Sequence, residues 1–161
     1  MKLVDTLKEK TILFPLGAID KQDSVKFLLN CLLDQNYLTA TTKLFSKIDE
    51  HDKLMNPAVG RGIAIHYSNS IEVENSIAAF GISIRGIDYS SPDSQKVHFI
   101  FLILDSINNP SEHRKLITRF QNFINDTDMK TKILSSISSL EIMKIISDWE
   151  TNYLFNERNE I

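Results

Sequence analysis

Cysteine is nearly absent. Cys31 stands alone, so the chain has no internal disulfide and no thiolate metal cage. It falls among Leu28, Leu29, Leu32 and Leu33, where a buried structural thiol is the natural reading. An excess of positive charge is missing as well. Lys and Arg number 18 against 21 Asp and Glu, giving a net charge of -3, and without a basic face no nucleic-acid partner is expected. No apolar run is long enough to span a bilayer and the first residues lack a signal-like stretch. No membrane insertion is therefore expected, and the cytoplasm is the expected setting. Glycine and proline are sparse, at five and four, and no linker, repeat or low-complexity tract interrupts the 161 residues, which are expected to form a single domain, 1–161. The GxxxxGK phosphate loop, the HExxH zinc motif and the GxSxG elbow are all missing. What remains is 42% hydrophobic and 24% charged, enough for a real core under a solvated surface.

The pattern along the chain alternates between two periods. After an irregular start, Asp20 caps a helix whose stripe is Val25, Leu28, Leu29, Leu32 and Leu33. A short second helix from Thr39 carries Ala40, Leu44 and Ile48, then gives way to the charged stretch Asp49 to Lys53. Strands are predicted at Gly62–Ile65, at Ser76–Ile84 with Ala78, Phe80, Ile82 and Ile84 on one face, and at Val97–Leu104, apolar on both sides. Gly86 to Asp93 reads as a loop. Asn109, Pro110 and Glu112 together signal a helix start, followed by the stripe Leu116, Ile117, Phe120, Phe123 and Ile124. A helix from about Asp126 carries Met129, Ile133 and Ile137. A last one, opened by Ser138 with Glu141, buries Ile142, Ile145, Ile146 and Trp149. Helices, strands and helices again predict an α/β fold, a sheet with helices packed on its faces.

Four histidines are the candidates for chemistry. His113, fourth in its predicted helix, starts on the inward edge where N–H groups and the positive end of the dipole gather, so an anion can dock beside it. The plainer reading is a histidine covering the core edge. His66 ends the Gly62–Ile65 strand, a place where sites are often set, although a lone strand-end histidine is more often just surface. His98 has core parity, matching Ile100, Leu102 and Leu104. His51 lies among Asp49, Glu50 and Asp52, where a metal is conceivable but a solvated charged loop is the commoner outcome. Neither metal nor organic cofactor is expected.

The run Ala58-Val59-Gly60-Arg61-Gly62-Ile63-Ala64-Ile65 resembles the glycine-rich signature of the enzyme IIA domains of the phosphoenolpyruvate-dependent sugar phosphotransferase system, in its fructose/mannitol class with the nitrogen-regulatory proteins. The order of Ile12–Leu54, Gly86–Asp93, Val97–Leu104 and His113 extends the resemblance over nearly the whole chain. It implies a mixed β-sheet flanked by helices on both faces. It also implies a histidine-containing phosphocarrier protein as donor, and a transporter domain or a regulatory protein as the next partner. In that family the strand is followed by Pro-His, and the histidine takes the phosphoryl group. Here His66 and Tyr67 stand in those two places, His51-Asp52 replaces an Arg-Glu pair, and Asn56-Pro57 replaces Ser-Thr. The resemblance makes His113 the supporting histidine and Tyr67, Arg61, Asn56 and His51 the binding set. Two readings follow: His66 has become the acceptor, assisted by His113, or the domain keeps the fold as a regulatory module without relay. A small-anion sensor using the same pocket is a third. A one-residue shift along a strand turns a side chain to the other face, which weighs against His66 unless the strand has already ended.

Overall fold

A computed structural model describes residues 1–160. Its centre is a mixed five-stranded sheet in the order β1-β4-β5-β3-β2. The strands are β1 (Ile12–Leu13), β2 (Ala58–Gly60), β3 (Ile63–Ser70), β4 (Ile77–Ile87) and β5 (Val97–Ser106). β5 lies in the middle, antiparallel to β4 and parallel to β3. Its apolar run follows from that place, since both of its faces are covered.

Two cores lie on the two faces. On one, Phe80, Phe101 and Phe120 form a buried cluster with Leu116, Phe123, Ile142 and Ile146, from helices α4 (His113–Ile124) and α6 (Ser139–Asn159). The rings of Phe101 and Phe120 stack with centroids 4.2 Å apart. Helices α1 (Leu3–Thr6) and α5 (Met129–Leu134) complete that side. On the other, Leu28, Leu29, Leu32, Leu44 and Ile48 from α2 (Lys21–Asp34) and α3 (Thr42–Leu54) pack on Ala64, Ile100, Leu102 and Leu104. Helices on both faces of a mixed sheet were the expected architecture, and the fold has it.

Several local starts and stops agree with the sequence reading. Asp20 Oδ1 accepts from the Asp23 N–H at 2.8 Å, and Ser138 Oγ accepts from the Glu141 N–H at 3.1 Å, each opening its helix. The Cys31 thiol is buried, donates to the Lys10 carbonyl at 3.1 Å and is pushed up in pKa by that burial. His98 is half-buried, with Nδ1 2.8 Å from the Ser83 carbonyl.

Several boundaries differ: α3 starts at Thr42 rather than Thr39, β4 runs to Ile87 into the expected Gly86–Asp93 loop, and two of the others decide the site. The irregular start contains α1, whose Leu3 is buried with Leu7. Helix α3 does not end before Asp49 but continues to Leu54, because Asp52 faces inward and finds a buried partner. Strand β3 does not stop at Ile65. It pairs with β5 from Ile63 opposite Phe99 to Ser70 opposite Ser106, so residues 66 and 67 sit inside a regular strand. Helix α4 begins at His113, not at Pro110, since residues 110–112 form a turn. Smaller differences are that Ile84 and Ile137 are exposed, Ile84 at a register shift in β4 and Ile137 beyond the end of α5.

Candidate functional site

Alternation along β3 separates the two residues that matter most. Side chains of successive strand residues leave opposite faces, so His66 joins the core of α2 and α3, and Tyr67 joins the face of α4. His66 is wholly buried. Its Nδ1 lies 2.9 Å from Asp52 Oδ2, and its Nε2 lies 3.0 Å from the Tyr89 hydroxyl. The carboxylate accepts, so the Nδ1 proton is assigned to that bond and the Tyr89 hydroxyl donates to Nε2. Burial pushes the Tyr89 phenol far above its ordinary pKa and keeps that proton in place. Both ring nitrogens of His66 are thus engaged.

On the other face, Tyr67 stacks on His113 with ring centroids 3.8 Å apart and planes 24° from parallel. The Tyr67 hydroxyl donates to the Pro110 carbonyl at 3.1 Å. Its pKa is raised, first by burial and then by the charge of Asp105. His113 is held by Asp105, a wholly buried carboxylate at the end of β5. Asp105 Oδ2 accepts from the His113 backbone N–H at 3.0 Å and from its Nδ1 at 2.8 Å, while Oδ1 accepts from Ser76 Oγ at 2.7 Å. The helix cap anticipated at Asn109 is therefore supplied by a strand residue eight positions before His113. His51, Met55, Ile65, Ile117 and Gln121 surround the Tyr67–His113 pair in a cavity of about 270 Å³.

The other expected binding residues fall on the rim or do structural work. Asn56 lines the same cavity, but its amide donates to the carbonyls of Tyr89 and Ser90 and its Oδ1 accepts from the Ala58 N–H. Those bonds tie the start of β2 to the loop after β4 and use up the side chain. His51 lines the cavity and is exposed, and its side chain has no hydrogen-bond partner among the described residues. Asp52, its neighbour, is turned to His66. Arg61 lies at the top of the Gly60-Arg61-Gly62 turn, where all three residues have positive φ. Its N–H donates to Asp93 Oδ2 at 2.8 Å and its carbonyl accepts from Lys130 Nζ at 2.7 Å. Its exposed guanidinium forms no ion pair among the described residues. It lines a second groove with Trp149 and Tyr153 that meets the first at Val59 and Gln121.

The shared site expected for His66 and His113 is not what the structure brings together. The pair that meets is Tyr67 and His113, because β3 runs on to Ser70 and fixes the alternation. Sequence reasoning missed Asp105. Nothing local marks Asp105 as a cap, and its only cue was a carboxylate at the end of an otherwise apolar strand.

A model of the phosphoenolpyruvate-dependent sugar phosphotransferase system, EIIA 2, matches residues 5–149. The chain belongs to that family. Among the curated relatives of this EIIA 2 chain is the fructose-specific EIIABC component of the phosphotransferase system from Bacillus subtilis. It is 24% identical over 147 residues, which are 91% of this chain and 23% of that protein. The chain thus spans about a quarter of that relative's length. A nitrogen regulatory protein from Bradyrhizobium diazoefficiens is 28% identical over 104 residues, 65% of this chain and 68% of the relative. Nitrogen regulatory protein IIA-Ntr from Neisseria meningitidis shares the fold with a TM-score of 0.79 at 19% identity, over 89% of this chain and 98% of that one. So does enzyme IIA mannitol from Escherichia coli in its complex with phosphorylated enzyme IIB mannitol, with a TM-score of 0.73 at 16% identity, over 89% and 98%. No helix among the described residues is long and apolar enough to cross a membrane.

Proposed function

We propose that this EIIA 2 chain, acting as one domain over 1–161, is a regulatory binding module of a phosphotransferase system that does not relay a phosphoryl group through residue 66 or 67. One observation carries the reading: the strand turns Tyr67, not a histidine, into the pocket with His113 and buries His66 with both nitrogens engaged. An imidazole without a free lone pair cannot attack phosphorus. A tyrosine phosphate is an ester, a far poorer donor than a P–N bond, so phosphoryl transfer to Tyr67 would end the chain of transfer instead of extending it. Recruiting His66 would require β3 to slip by one residue, which would move every side chain of the strand to the wrong face. The kinship with nitrogen regulatory proteins supports regulation.

The partner proposed is a transporter domain or regulatory protein, joined by a histidine-containing phosphocarrier protein if the chain accepts a phosphoryl group, in the cytoplasm. The IIA–IIB complex of a protein with this fold supports a transporter-domain type of partner. No metal or organic cofactor is part of the reading. The test is reconstitution: phosphoenolpyruvate, the system's first enzyme, a phosphocarrier protein, the full chain, and a IIB domain as terminal acceptor. The expected outcome is no chain-dependent label on the IIB domain while the phosphocarrier is demonstrably charged. Chain-dependent labelling of the IIB domain that is lost in His66→Ala or in Tyr67→Phe would overturn the reading.

A further inference from the structure

Of the four histidines, one has an oriented ring with an unengaged nitrogen and lines a cavity. His66 uses both nitrogens. His98 is bound through Nδ1 to Ser83, and its other edge lies over Gly86, where even a methyl group would come within 3.0 Å of Nε2. His51 is exposed and nothing orients its ring. His113 differs from all three. Asp105 fixes its Nδ1 at 2.8 Å and Tyr67 fixes its ring plane by stacking. Its Nε2, on the opposite edge, has no partner among the described residues. The buried side-chain polar atoms without a partner there are Asp52 Oδ1 and Ser91 Oγ alone, so Nε2 is open to solvent. His113 lines the cavity and its side chain as a whole is 17% exposed, so the ring is reachable from solvent without standing on open surface.

We propose that His113 Nε2 is itself a phosphoryl acceptor, taking the group from a donor with a P–N bond. Asp105 accepts the hydrogen bond from Nδ1–H, so the neutral ring carries its lone pair on Nε2. That lone pair attacks phosphorus. The Nε2–P bond forms as the P–N bond of a protonated donor breaks, and the departing nitrogen keeps the bonding pair: phosphoramidate, which carries the proton on its nitrogen as the zwitterion, releases ammonia, and a phosphocarrier histidine protonated on its other ring nitrogen releases neutral imidazole. The Nδ1 proton stays in place, and the Asp105 carboxylate offsets the positive charge that develops on the ring. The cavity of about 270 Å³ is several times the roughly 30 Å³ share of one water, so it has room for the group. Gln121 and His51 line it and form no other side-chain hydrogen bond among the described residues, leaving their N–H groups for phosphoryl oxygens. The protein is then switchable, because a doubly negative group would replace the open edge beside Tyr67.

The experiment exposes the full chain to phosphoramidate in one arm and to a charged phosphocarrier protein in another. Intact mass is read at alkaline pH, the site is mapped on peptides, and the isomer is identified by phosphorus NMR. The expected result is one acid-labile phosphoryl group per chain, on Nε2 of His113, reduced to background in H113Q. Labelling by phosphoramidate alone assigns a small-molecule donor, and labelling by the protein assigns a partner phosphohistidine. Site mapping on the unaltered chain keeps the test valid should H113Q fail to fold. The inference is overturned by a label on His51, His66 or Tyr67, by a label on Nδ1, or by no label from either donor. These readouts concern the chain itself, whereas the relay test reads the IIB domain, so each claim can fail without the other.

Discussion

His66 and Tyr67 are neighbours in sequence with opposite energetic weight. The His66 ring is held between Asp52 and Tyr89 without any access to water. Removing the Tyr89 hydroxyl leaves a buried nitrogen without its donor, so Tyr89→Phe should lower unfolding free energy by about 1–3 kcal/mol. His66→Ala should cost more, on the order of 3–5 kcal/mol, because it opens a cavity and strands the buried Asp52 carboxylate, whose Oδ1 already lacks a partner. Tyr67→Phe removes one hydroxyl at a half-buried site and keeps the stacking on His113, so its cost should stay near or below about 1 kcal/mol. Urea unfolding of the three variants at one pH checks the order. A Tyr67→Phe loss as large as that of His66→Ala would mean that the Tyr67 hydroxyl holds the Pro110 turn in place.

At the scale of elements, Asp105 joins β5 to α4. It closes the helix start and also receives Ser76 from the segment before β4. Asp105→Ala deprives three donors at once, so the loss should exceed the roughly 0.5–2 kcal/mol of an ordinary N-cap. Asn109→Ala, at the cap position the sequence suggested, should stay within about 0.5 kcal/mol, since Asn109 is exposed and its side chain makes no hydrogen bond. Thermal melts of the two variants separate a tertiary cap from a local one. The contrast also shows what was legible. Periodicity found α2, α4, α6 and the three long strands, because burial of one face writes a pattern into consecutive residues. The caps of α2 and α6 are readable as well, because Asp20 and Ser138 act on their own next turn. The cap of α4 comes from the far side of a turn, and the extension of β3 to Ser70 comes from pairing with β5, and neither leaves a local trace. The polar run His66-Tyr67-Ser68-Asn69-Ser70 has no strand-like apolar alternation, so pairing alone explains why it is a strand.

The whole molecule is a sheet with one core on each face, and the two polar assemblies sit on opposite faces of β3. Asp52, His66 and Tyr89 lie with α2 and α3, while Asp105, His113 and Tyr67 lie with α4. Only the backbone of β3 is common to them, and no side chain is shared. Substitutions without shared partners add to within about 0.3–0.5 kcal/mol. A double-mutant cycle of Tyr89→Phe with Tyr67→Phe should therefore give an interaction energy inside that range, measured by denaturant unfolding of the four proteins. Phosphorylation at the His113 cavity should likewise leave the buried His66 assembly unchanged, which the imidazole resonances of His66 can report. A coupling above about 1 kcal/mol would require β3 to shift as a unit when either face is altered. In that case the sheet would carry the state of the cavity to the α2–α3 surface, and a partner docking there could read a group placed on His113. Additivity would confine any partner that reads the cavity to the face of α4, next to Tyr67 and the exposed rim residues Met55 and Val59.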